Sequence, residues 1–279
     1  MRLFIGGMRG SQPALGSRFD EFGGDTTSLL VTGSRGERLV LDAGTGMRAV
    51  SEQLALTEPG RVTVLFSHYH LDHLIGLTMN PLLYKAEWSF NFIGPTFADG
   101  GVRDSVTRLL APPYWPISWE RMNAHLEFVT LPRPDGCLTV RQNLRVSGCL
   151  VPHPGGCVAY RIDDSSSGKS VVFATDLEWE KRTPVEEIAF RTLCTTPEPA
   201  NLLVIDAHFG REQQDAFAGW GHTSWEDGLE IAASTGIQRV LLGHHAPAAD
   251  DAALRALEQQ VKDVSPGASL ARAGQWIAI

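Results

Sequence analysis

The sequence predicts a layered α/β fold in which packed sheets are covered by helices. Short apolar runs that end in polar residues or glycine recur through both halves of the chain, and fewer segments with helical periodicity lie between them. Strands must bury their apolar faces against another layer, and the dispersed helices supply that layer. The length of 279 residues and the hydrophobic content of 43% suit one large domain over residues 1–279.

Twelve segments predict strands, because each is a short apolar run bounded by turn-forming or charged residues. The predicted strands cover residues 2–5, 27–31, 38–41, 61–66, 90–93, 126–129, 144–146, 157–162, 170–174, 202–205, 239–242 and 275–279. Helical periodicity predicts helices over residues 46–56, 74–84, 225–235 and 252–262, with a shorter helix over 184–190. Ser224 and Asp227 have the spacing of a capping box at the start of the helix over 225–235.

Residues 81–135 differ from the rest of the chain and predict an elaborated loop region within the same domain. After Pro81, their prolines and tryptophans are Trp88, Pro95, Pro112, Pro113, Trp115, Pro116, Trp119, Pro132 and Pro134. Long loops inside compact folds are uncommon and often serve as lids or binding loops.

Charge and composition narrow the function classes. The net charge of −8 provides no global basic field for nucleic acid. The cysteines, Cys137, Cys149, Cys157 and Cys194, lack a C-x-x-C spacing and predict reduced thiols of a cytosolic protein. The N-terminal apolar run is too short for a signal peptide, and no segment approaches the roughly 20 apolar residues of a membrane span. We expect a cytoplasmic protein that does not act at membranes.

Residues 68–73 concentrate metal-type ligands directly after the apolar run 62–66. The ligands are His68, His70, Asp72 and His73. Histidine and aspartate are rarely fully buried without partners, and a divalent cation binds neutral imidazole together with ionised carboxylate. The pattern therefore predicts a metal site. Because its ligands are nitrogen and oxygen rather than four thiolates, we expect a catalytic site rather than a structural one.

Three further candidate ligands follow apolar runs later in the chain. They are His153, Asp176 and His244. Strand ends are rigid mounts that hold ligands to the tolerances a metal needs. Each residue taken alone would be a hydrogen-bonded, turn or surface residue, but their coincidence with the first cluster favours ligand roles. His245 is the alternative to His244, and strand alternation favours His244.

The ordered set H-x-H-x-D-H, His153, Asp176 and His244 resembles the metallo-β-lactamase superfamily over nearly the whole chain, and residues 41–46 (LDAGTG) resemble its strand-and-turn motif. The resemblance implies a four-layer αββα sandwich with two divalent metal ions at one edge. It implies that His68, His70 and His153 bind one metal and that Asp72, His73 and His244 bind the other. It also implies that Asp176 bridges the two metals and that Asp72 has the further role of orienting the nucleophile. Such ligands suit zinc, with manganese or iron as alternatives.

Asp206 and His222 help to choose between branches of the superfamily. Asp206 follows the predicted strand 202–205, and His222 precedes Thr223 and Ser224 at a predicted helix start. This pattern resembles the tRNase Z-type phosphodiesterases. The resemblance implies that Asp206 orients His222, and that His222 stabilises the developing oxyanion or protonates the leaving group. The alternative is that His222 is a solvent-exposed neighbour of a helix cap, which is the role we assign to Thr223 and Ser224.

The closest resemblance is to small cyclic-nucleotide-degrading phosphodiesterases of this fold. It rests on residues 8–13 (MRGSQP), 22–28 (FGGDTTS), 111–117 (APPYWPI) and 244–247 (HHAP). Asp25 stands where asparagine is usual, and aspartate also suits a turn. Only 29 residues, 177–205, separate Asp176 from Asp206, which leaves no room for the long basic arm of the tRNA-processing enzymes. We therefore do not expect a long RNA substrate.

The sequence thus predicts a binuclear metal-dependent phosphodiesterase that hydrolyses a small diester, with a 3′,5′-cyclic nucleotide favoured, by attack of metal-bound hydroxide. Tyr114, Trp115 and Trp119 either stack a base or form a satellite core or subunit contact. A homodimer in which this loop covers the neighbour's site would reconcile the two. The alternative functions are a thioester or lactam hydrolase on the same metals and a non-catalytic metal-bound ligand sensor.

Overall fold

The structure, a computed structural model, describes residues 1–131, 137–141 and 143–279. Sixteen strands run through this part of the chain: β1 (Arg2–Gly7), β2 (Ser28–Thr32), β3 (Arg38–Leu41), β4 (Arg61–Leu65), β5 (Ser89–Gly94), β6 (Thr96–Phe97), β7 (Gly100–Gly101), β8 (His125–Thr130), β9 (Cys137–Arg141), β10 (Leu144–Val151), β11 (Cys157–Asp164), β12 (Lys169–Ala174), β13 (Leu202–Asp206), β14 (Val240–Gly243), β15 (Ala268–Leu270) and β16 (Trp276–Ala278). They form two seven-stranded sheets and a small hairpin of β6 and β7.

Each large sheet joins a parallel half to an antiparallel half. The first has the order β16-β1-β2-β3-β4-β5-β8, in which β3, β4, β5 and β8 are parallel. The second has the order β15-β14-β13-β12-β11-β10-β9, in which β12 to β15 are parallel. The carboxyl ends of parallel strands meet at one edge of a sheet, so each sheet presents several strand ends together.

Five α-helices are present in the described part of the chain: α1 (Met47–Ala55), α2 (Val102–Leu109), α3 (Pro184–Thr195), α4 (Trp225–Thr235) and α5 (Asp251–Val264). Short 3₁₀ helices cover Ser17–Phe19, Leu71–His73, Ile75–Met79, Pro81–Tyr84, Trp119–Arg121, Trp179–Lys181 and Arg211–Phe217. Side chains of Thr183, Ser224 and Asp250 cap the starts of α3, α4 and α5. Of the helices described, none combines the length and the apolarity that crossing a bilayer demands.

Side-chain alternation along the strands separates three apolar cores and confirms the predicted αββα sandwich. In β1, Leu3 and Ile5 lie in the core between the sheets, whereas Phe4 lies in the outer core. Val50 of α1 belongs to that outer core, and Leu229 of α4 belongs to a third core on the far side of the second sheet. The order of layers is therefore helices, sheet, sheet, helices.

The helix predicted over residues 74–84 is wrong. The chain there forms two 3₁₀ helices, Ile75–Met79 and Pro81–Tyr84, separated by Asn80 in an extended conformation (φ −96°, ψ 96°). Proline disfavours the helical conformation of the preceding residue and lacks the N–H that a continuous helix needs. The Asn80 side chain instead accepts the backbone N–H of Leu82 and starts a new turn.

Each predicted strand has a counterpart, and some elements are longer than predicted. β10 continues to Val151 because it pairs with β11 along its whole length. α3 continues to Thr195, and β6, β7, β9 and β15 were not predicted.

The elaborated region 81–135 contains β5, β8 and also α2, a helix that was not predicted; Pro132 and Pro134 lie outside the described residues. Trp115 and Trp119 pack against the outer core of the first sheet, and Trp115 Nε1 donates a hydrogen bond to the Tyr84 hydroxyl over 2.9 Å. Tyr114 is 67% exposed. The geometry favours the satellite-core interpretation for the two tryptophans.

Candidate active site

The site lies where strands of both sheets end. Asp42 follows β3, Asp176 closely follows β12, and His244 follows β14. All three have left-handed backbone conformations, with φ of 55°, 56° and 55° respectively. For a residue other than glycine this conformation costs roughly 1–2 kcal/mol and is concentrated at functional sites. The strand ends are therefore bent in a way that the local sequence does not favour, and the bends bring polar side chains together.

His68, His70 and His153 form one group of converging ring nitrogens, which lie within 4.8 Å of one another. His70 Nδ1 is 3.1 Å from His153 Nε2. His153 Nδ1 donates to the Gly221 carbonyl over 2.9 Å, which leaves Nε2 directed at the group. His70 is exposed and His68 is buried, so the group is open to solvent on one side.

Asp72, His73 and His244 form the second group, also within 4.8 Å. Asp72 Oδ2 is 3.2 Å from His73 Nε2 and 3.6 Å from His244 Nε2. His73 Nε2 is 3.3 Å from His244 Nε2. The Asp72 carboxylate is further positioned by the backbone N–H of Ser11, which donates to Oδ2 over 2.9 Å.

Asp176 lies between the two groups. Its Oδ2 is 3.0 Å from His73 Nε2 and 3.2 Å from His244 Nε2, and its Oδ1 is 3.9 Å from His68 Nε2. The structure thus brings together all seven residues that the resemblance implied as metal ligands. His245 lies outside the cluster, where its Nε2 donates to the Ala271 carbonyl over 2.9 Å.

The donor set fits divalent cations. His68 Nε2 and Asp176 Oδ2 are buried atoms without a hydrogen-bond partner among the described residues, and both lie inside the cluster. A buried polar atom left without a partner is costly, and a cation would satisfy both atoms at once. The close contacts between ring nitrogens also suit lone pairs that point at a shared ion rather than at each other.

The electrostatics of the cluster are those of a concentrated negative charge. Burial lowers the pKa of His68 well below its usual value, so that its ring is neutral. Burial also lowers the pKa of His73, but Asp176, Asp72 and Asp42 outweigh it and raise that pKa well above its usual value. Burial raises the pKa of Asp176, but the histidines around it hold it well below the usual range. The ionised carboxylates therefore require positive charge, which bound cations would supply.

Asp206 and His222 form a hydrogen-bonded pair beside the ligand cluster. His222 Nδ1 donates to Asp206 Oδ2 over 2.9 Å. Burial lowers the pKa of His222, but the charge and hydrogen bond of Asp206 raise it by more, to about 9. Asp206 is fully buried and also accepts the backbone N–H groups of Asp176 and His208, over 3.1 and 3.0 Å. One carboxylate thus connects the bend at Asp176 to the ring of His222.

Three residues at the site were not among the predicted site residues. Asp42 Oδ2 accepts from His73 Nδ1 over 2.8 Å, and its position in the LDAGTG segment is a signal that the sequence does contain. Glu178 accepts the N–H groups of Gly219 and Gly221, over 2.7 and 3.2 Å. His208 stacks on His222 with ring centroids 4.2 Å apart and planes 10° apart. No local pattern marks Glu178 or His208.

The capping interpretation of Ser224 is confirmed. Its hydroxyl accepts the backbone N–H of Asp227 over 3.1 Å and donates to the Asp227 carboxylate over 2.7 Å. His222 is buried rather than exposed, with 6% of its surface accessible. The ring therefore has a defined position two residues before the helix cap, Ser224.

Comparison with known proteins places the chain in a family. The model of the family described as the beta-lactamase superfamily domain matches residues 37–245. No curated protein matches the chain. One similar solved structure is the metallo-beta-lactamase fold protein YhfI from Bacillus subtilis, with 21% sequence identity, a TM-score of 0.70 and 99% of each chain covered. Another is the short form of human tRNase Z, with 16% identity, a TM-score of 0.68, and 100% of this chain and 99% of that chain covered. A third is yeast PDE1, with 15% identity, a TM-score of 0.69, and 100% of this chain and 99% of that chain covered.

At these identities the solved structures establish the fold alone. The family model, however, matches most of the chain, and its matched range spans all seven converging residues, from His68 to His244. The fold, the four layers and the histidine-rich edge agree with this match. This chain belongs to the metallo-β-lactamase superfamily, and tRNase Z and PDE1 are among its structural relatives.

Proposed function

We propose that this protein is a binuclear metal-dependent phosphodiesterase that hydrolyses a small diester, with a 3′,5′-cyclic nucleotide as the favoured substrate. The observation that carries the proposal is the Asp206–His222 pair beside the ligand cluster. The His222 ring centroid lies 4.9 Å from that of His244 and 6.1 Å from that of His153. Two structural relatives carry the names tRNase Z and PDE1, which supports phosphoryl chemistry on this fold.

His222 holds the proton that an alkoxide leaving group needs. Its Nδ1–H is engaged by Asp206, so Nε2 is the nitrogen that faces outward to donate. A pKa near 9 keeps the ring protonated at neutral pH, and Asp206 stabilises the positive charge. A water oxygen forms the new bond to phosphorus and that water loses a proton to solvent, the bond from phosphorus to the leaving oxygen breaks, and the leaving oxygen takes its proton from His222 Nε2. A cyclic diester thereby opens to a monophosphate with a free hydroxyl.

The seven ligand residues would hold the cations, with His68, His70 and His153 on one side, Asp72, His73 and His244 on the other, and Asp176 between them. Two divalent cations there would supply charge neutralisation for the phosphoryl oxygens and would lower the pKa of the attacking water. Asp72 is fixed by Ser11 N–H and presents its carboxylate to the same cavity.

The size of the cavity supports a small substrate. The cavity lined by His70, Asp72, His153 and His222 has a volume of about 250 Å³. Residues 177–205 form a 3₁₀ helix, Trp179–Lys181, and α3, and both lie in the body of the domain rather than in an extended arm. The net charge of −8 also gives no support to long nucleic acid as a substrate.

The test is a turnover panel with metal analysis of the same sample. The substrates are 3′,5′-cyclic nucleotides, bis(p-nitrophenyl) phosphate, a thioester and a β-lactam, each with zinc or manganese. We expect diester hydrolysis, with His222→Ala lowering kcat by roughly 10²–10⁴-fold because the proton donor is lost. His125→Ala is the matched control, since His125 is an exposed histidine on β8.

Diester hydrolysis that survives His222→Ala would contradict the mechanism. Hydrolysis of the thioester or the lactam in preference to every diester would favour the alternative enzyme class. Metal binding without turnover of any substrate would favour a sensor.

A further inference from the structure

A second cavity adjoins the catalytic one and has no part in the chemistry described above. Its volume is about 800 Å³, which lies within the range of pockets for small organic ligands. Trp220 lines both cavities. Ser11 lines the catalytic cavity, and the next residue, Gln12, lines the second. One ligand could therefore extend from the catalytic cavity into the second.

Aromatic rings form a continuous wall from the catalytic histidine into this cavity. His208 stacks on His222 and contacts Phe209 edge-on, with centroids 6.2 Å apart. Phe209 stacks on Phe217 with centroids 5.5 Å apart and planes 13° apart, and Phe217 meets Trp220 edge-on at 5.2 Å. All of these residues except His222 line the second cavity. A wall of this kind offers flat faces on which a planar ring can stack.

The other residues that line the cavity narrow the chemical class of the occupant. Ala253 and Leu257 of α5 add apolar surface to the cavity. The rim carries amide and carboxylate side chains, Gln12, Glu212, Gln213, Glu226 and Gln260. Carboxylates disfavour a second phosphate here, and the carboxylate and amide oxygens can accept hydrogen bonds from amino groups. A flat heterocycle with amino groups at its edge matches both the faces and the rim.

We propose that this cavity binds the nucleobase of the substrate, stacked against Phe217 and Trp220, while the phosphodiester lies at His222. The inference rests on the proposed function for the phosphoryl end of the ligand. From the sequence alone, the loop that contains Tyr114 is a candidate site for stacking the base. The inference assigns that role to the segment between β13 and α4 instead. Tyr114 does not line this cavity.

The test measures binding of adenosine, which has no phosphate and is not hydrolysed, to the metal-loaded full chain by calorimetry, with ribose as the baseless comparison. Phe217→Ala removes a stacking face, and we expect the Kd for adenosine to rise roughly five- to 150-fold. Ala253→Trp fills the cavity from α5 and should weaken adenosine at least as much. Ala252→Trp is the matched control, because Ala252 is exposed on the same helical turn and does not line the cavity.

The expected result is adenosine binding, weak or absent ribose binding, losses in Phe217→Ala and Ala253→Trp, and wild-type affinity in Ala252→Trp and Tyr114→Ala. Loss of adenosine binding in Tyr114→Ala alone, or no adenosine binding at all, would overturn the inference.

Hydrolysis of methyl p-nitrophenyl phosphate is followed in parallel. If that diester is cleaved but adenosine does not bind, the cavity assignment fails and the phosphodiesterase proposal stands. If adenosine binds as expected but no diester is cleaved, the proposed function fails and the cavity assignment stands.

Discussion

Single residues outside the ligand set decide how the ligand rings present themselves. The Asp42 carboxylate engages His73 Nδ1 and the Gly221 carbonyl engages His153 Nδ1, so in both rings Nε2 is left for a metal. Asp206 likewise engages His222 Nδ1, which in the proposed function leaves Nε2 to donate a proton rather than to bind a metal. A neutral imidazole has one donor and one acceptor nitrogen, so in a metal-binding ring such a partner fixes the tautomer as well as the orientation.

Replacing Asp42 with asparagine tests this orientation at His73. Asp42 is fully buried with φ of 55°, a conformation that asparagine also tolerates, so the backbone is preserved. In the wild type, the backbone N–H and the hydroxyl of Ser67 both donate to the Asp42 carboxylate. The variant removes the negative charge behind His73 and places a side-chain amide where those two groups of Ser67 donate. We expect zinc affinity, measured by competition with a chelator, to fall about 10- to 100-fold. Asp20→Asn, at an exposed aspartate, is the control; equal affinity in both variants would contradict the role of Asp42.

Gly221 provides a second residue-scale prediction, because it has a matched neighbour. Gly221 and Gly219 both have left-handed backbones, with φ of 86° and 91°. A Cβ at Gly221 would lie 2.1 Å from His153 Nδ1, whereas one at Gly219 would come no closer than 3.4 Å to Lys181 Nζ. Both alanine variants should lose roughly 1–2 kcal/mol of stability from the backbone alone. Only Gly221→Ala should also lose metal stoichiometry and activity, and a full metal complement in that variant would show that His153 is not a ligand.

At the scale of elements, the site depends on how β13 passes into α4. β13 ends at Asp206, and α4 begins at Trp225. The chain between them, residues 207–224, leaves the end of β13 and comes back to it, so that His222 lies beside Asp206; we call this segment the excursion. Two backbone hydrogen bonds join the two sides of this excursion. The His208 N–H donates to the Thr223 carbonyl over 3.2 Å, and the Trp225 N–H donates to the Phe209 carbonyl over 3.1 Å. The excursion thus carries the catalytic histidine and also supplies the aromatic wall of the second cavity.

Removal of the α4 cap tests how firmly this element holds His222. Ser224→Ala loses the acceptor for the Asp227 N–H and should cost about 1 kcal/mol of unfolding free energy. Because His222 lies two residues before the cap, we also expect kcat to fall while the zinc content stays at the wild-type level. Denaturant unfolding and steady-state kinetics measure the two effects. Ser166→Ala, at an exposed turn serine, is the control, and an unchanged unfolding free energy in Ser224→Ala would argue against the cap.

At the scale of the whole molecule, the two ends of the chain close the sandwich together. β16 pairs antiparallel with β1, although it follows the strands of the other sheet. Arg272 forms ion pairs with Glu258 of α5 and with Glu21 of the N-terminal loop. Asp251 accepts the backbone N–H groups of Glu21 and Phe22, over 2.9 and 3.1 Å. These contacts hold the N-terminal loop, which carries Ser11 and Gln12, against the second half of the molecule.

The sequence predicts those parts of this arrangement that local patterns determine. Short apolar runs predict the strands, and the ligands that follow those runs are expected to converge at one edge of the sandwich. The pairing of β16 with β1 depends on contacts between the two ends of the chain, which no local period contains. The stacking of His208 on His222 depends on the return of the chain after β13. The break at Asn80 follows from the proline at position 81, which the helical periodicity of residues 74–84 does not take into account.

The closure of the two ends predicts a defined acid dependence of stability. The Arg272 hydrogen bonds lower the pKa of Glu258 to about 2, against a usual value near 4.5, so the folded state favours the ionised form. Its stabilisation is complete above the unfolded pKa and is lost as the pH falls through the folded pKa. Glu258→Gln should therefore be less stable than the wild type by about 1 kcal/mol at pH 7, and the difference should shrink between about pH 5 and pH 2. Chemical denaturation over this range measures it, with Glu58→Gln, at an exposed glutamate on the loop after α1, as the control. A difference that is constant with pH would mean that the Glu258 carboxylate contributes by packing rather than by its charge on Arg272.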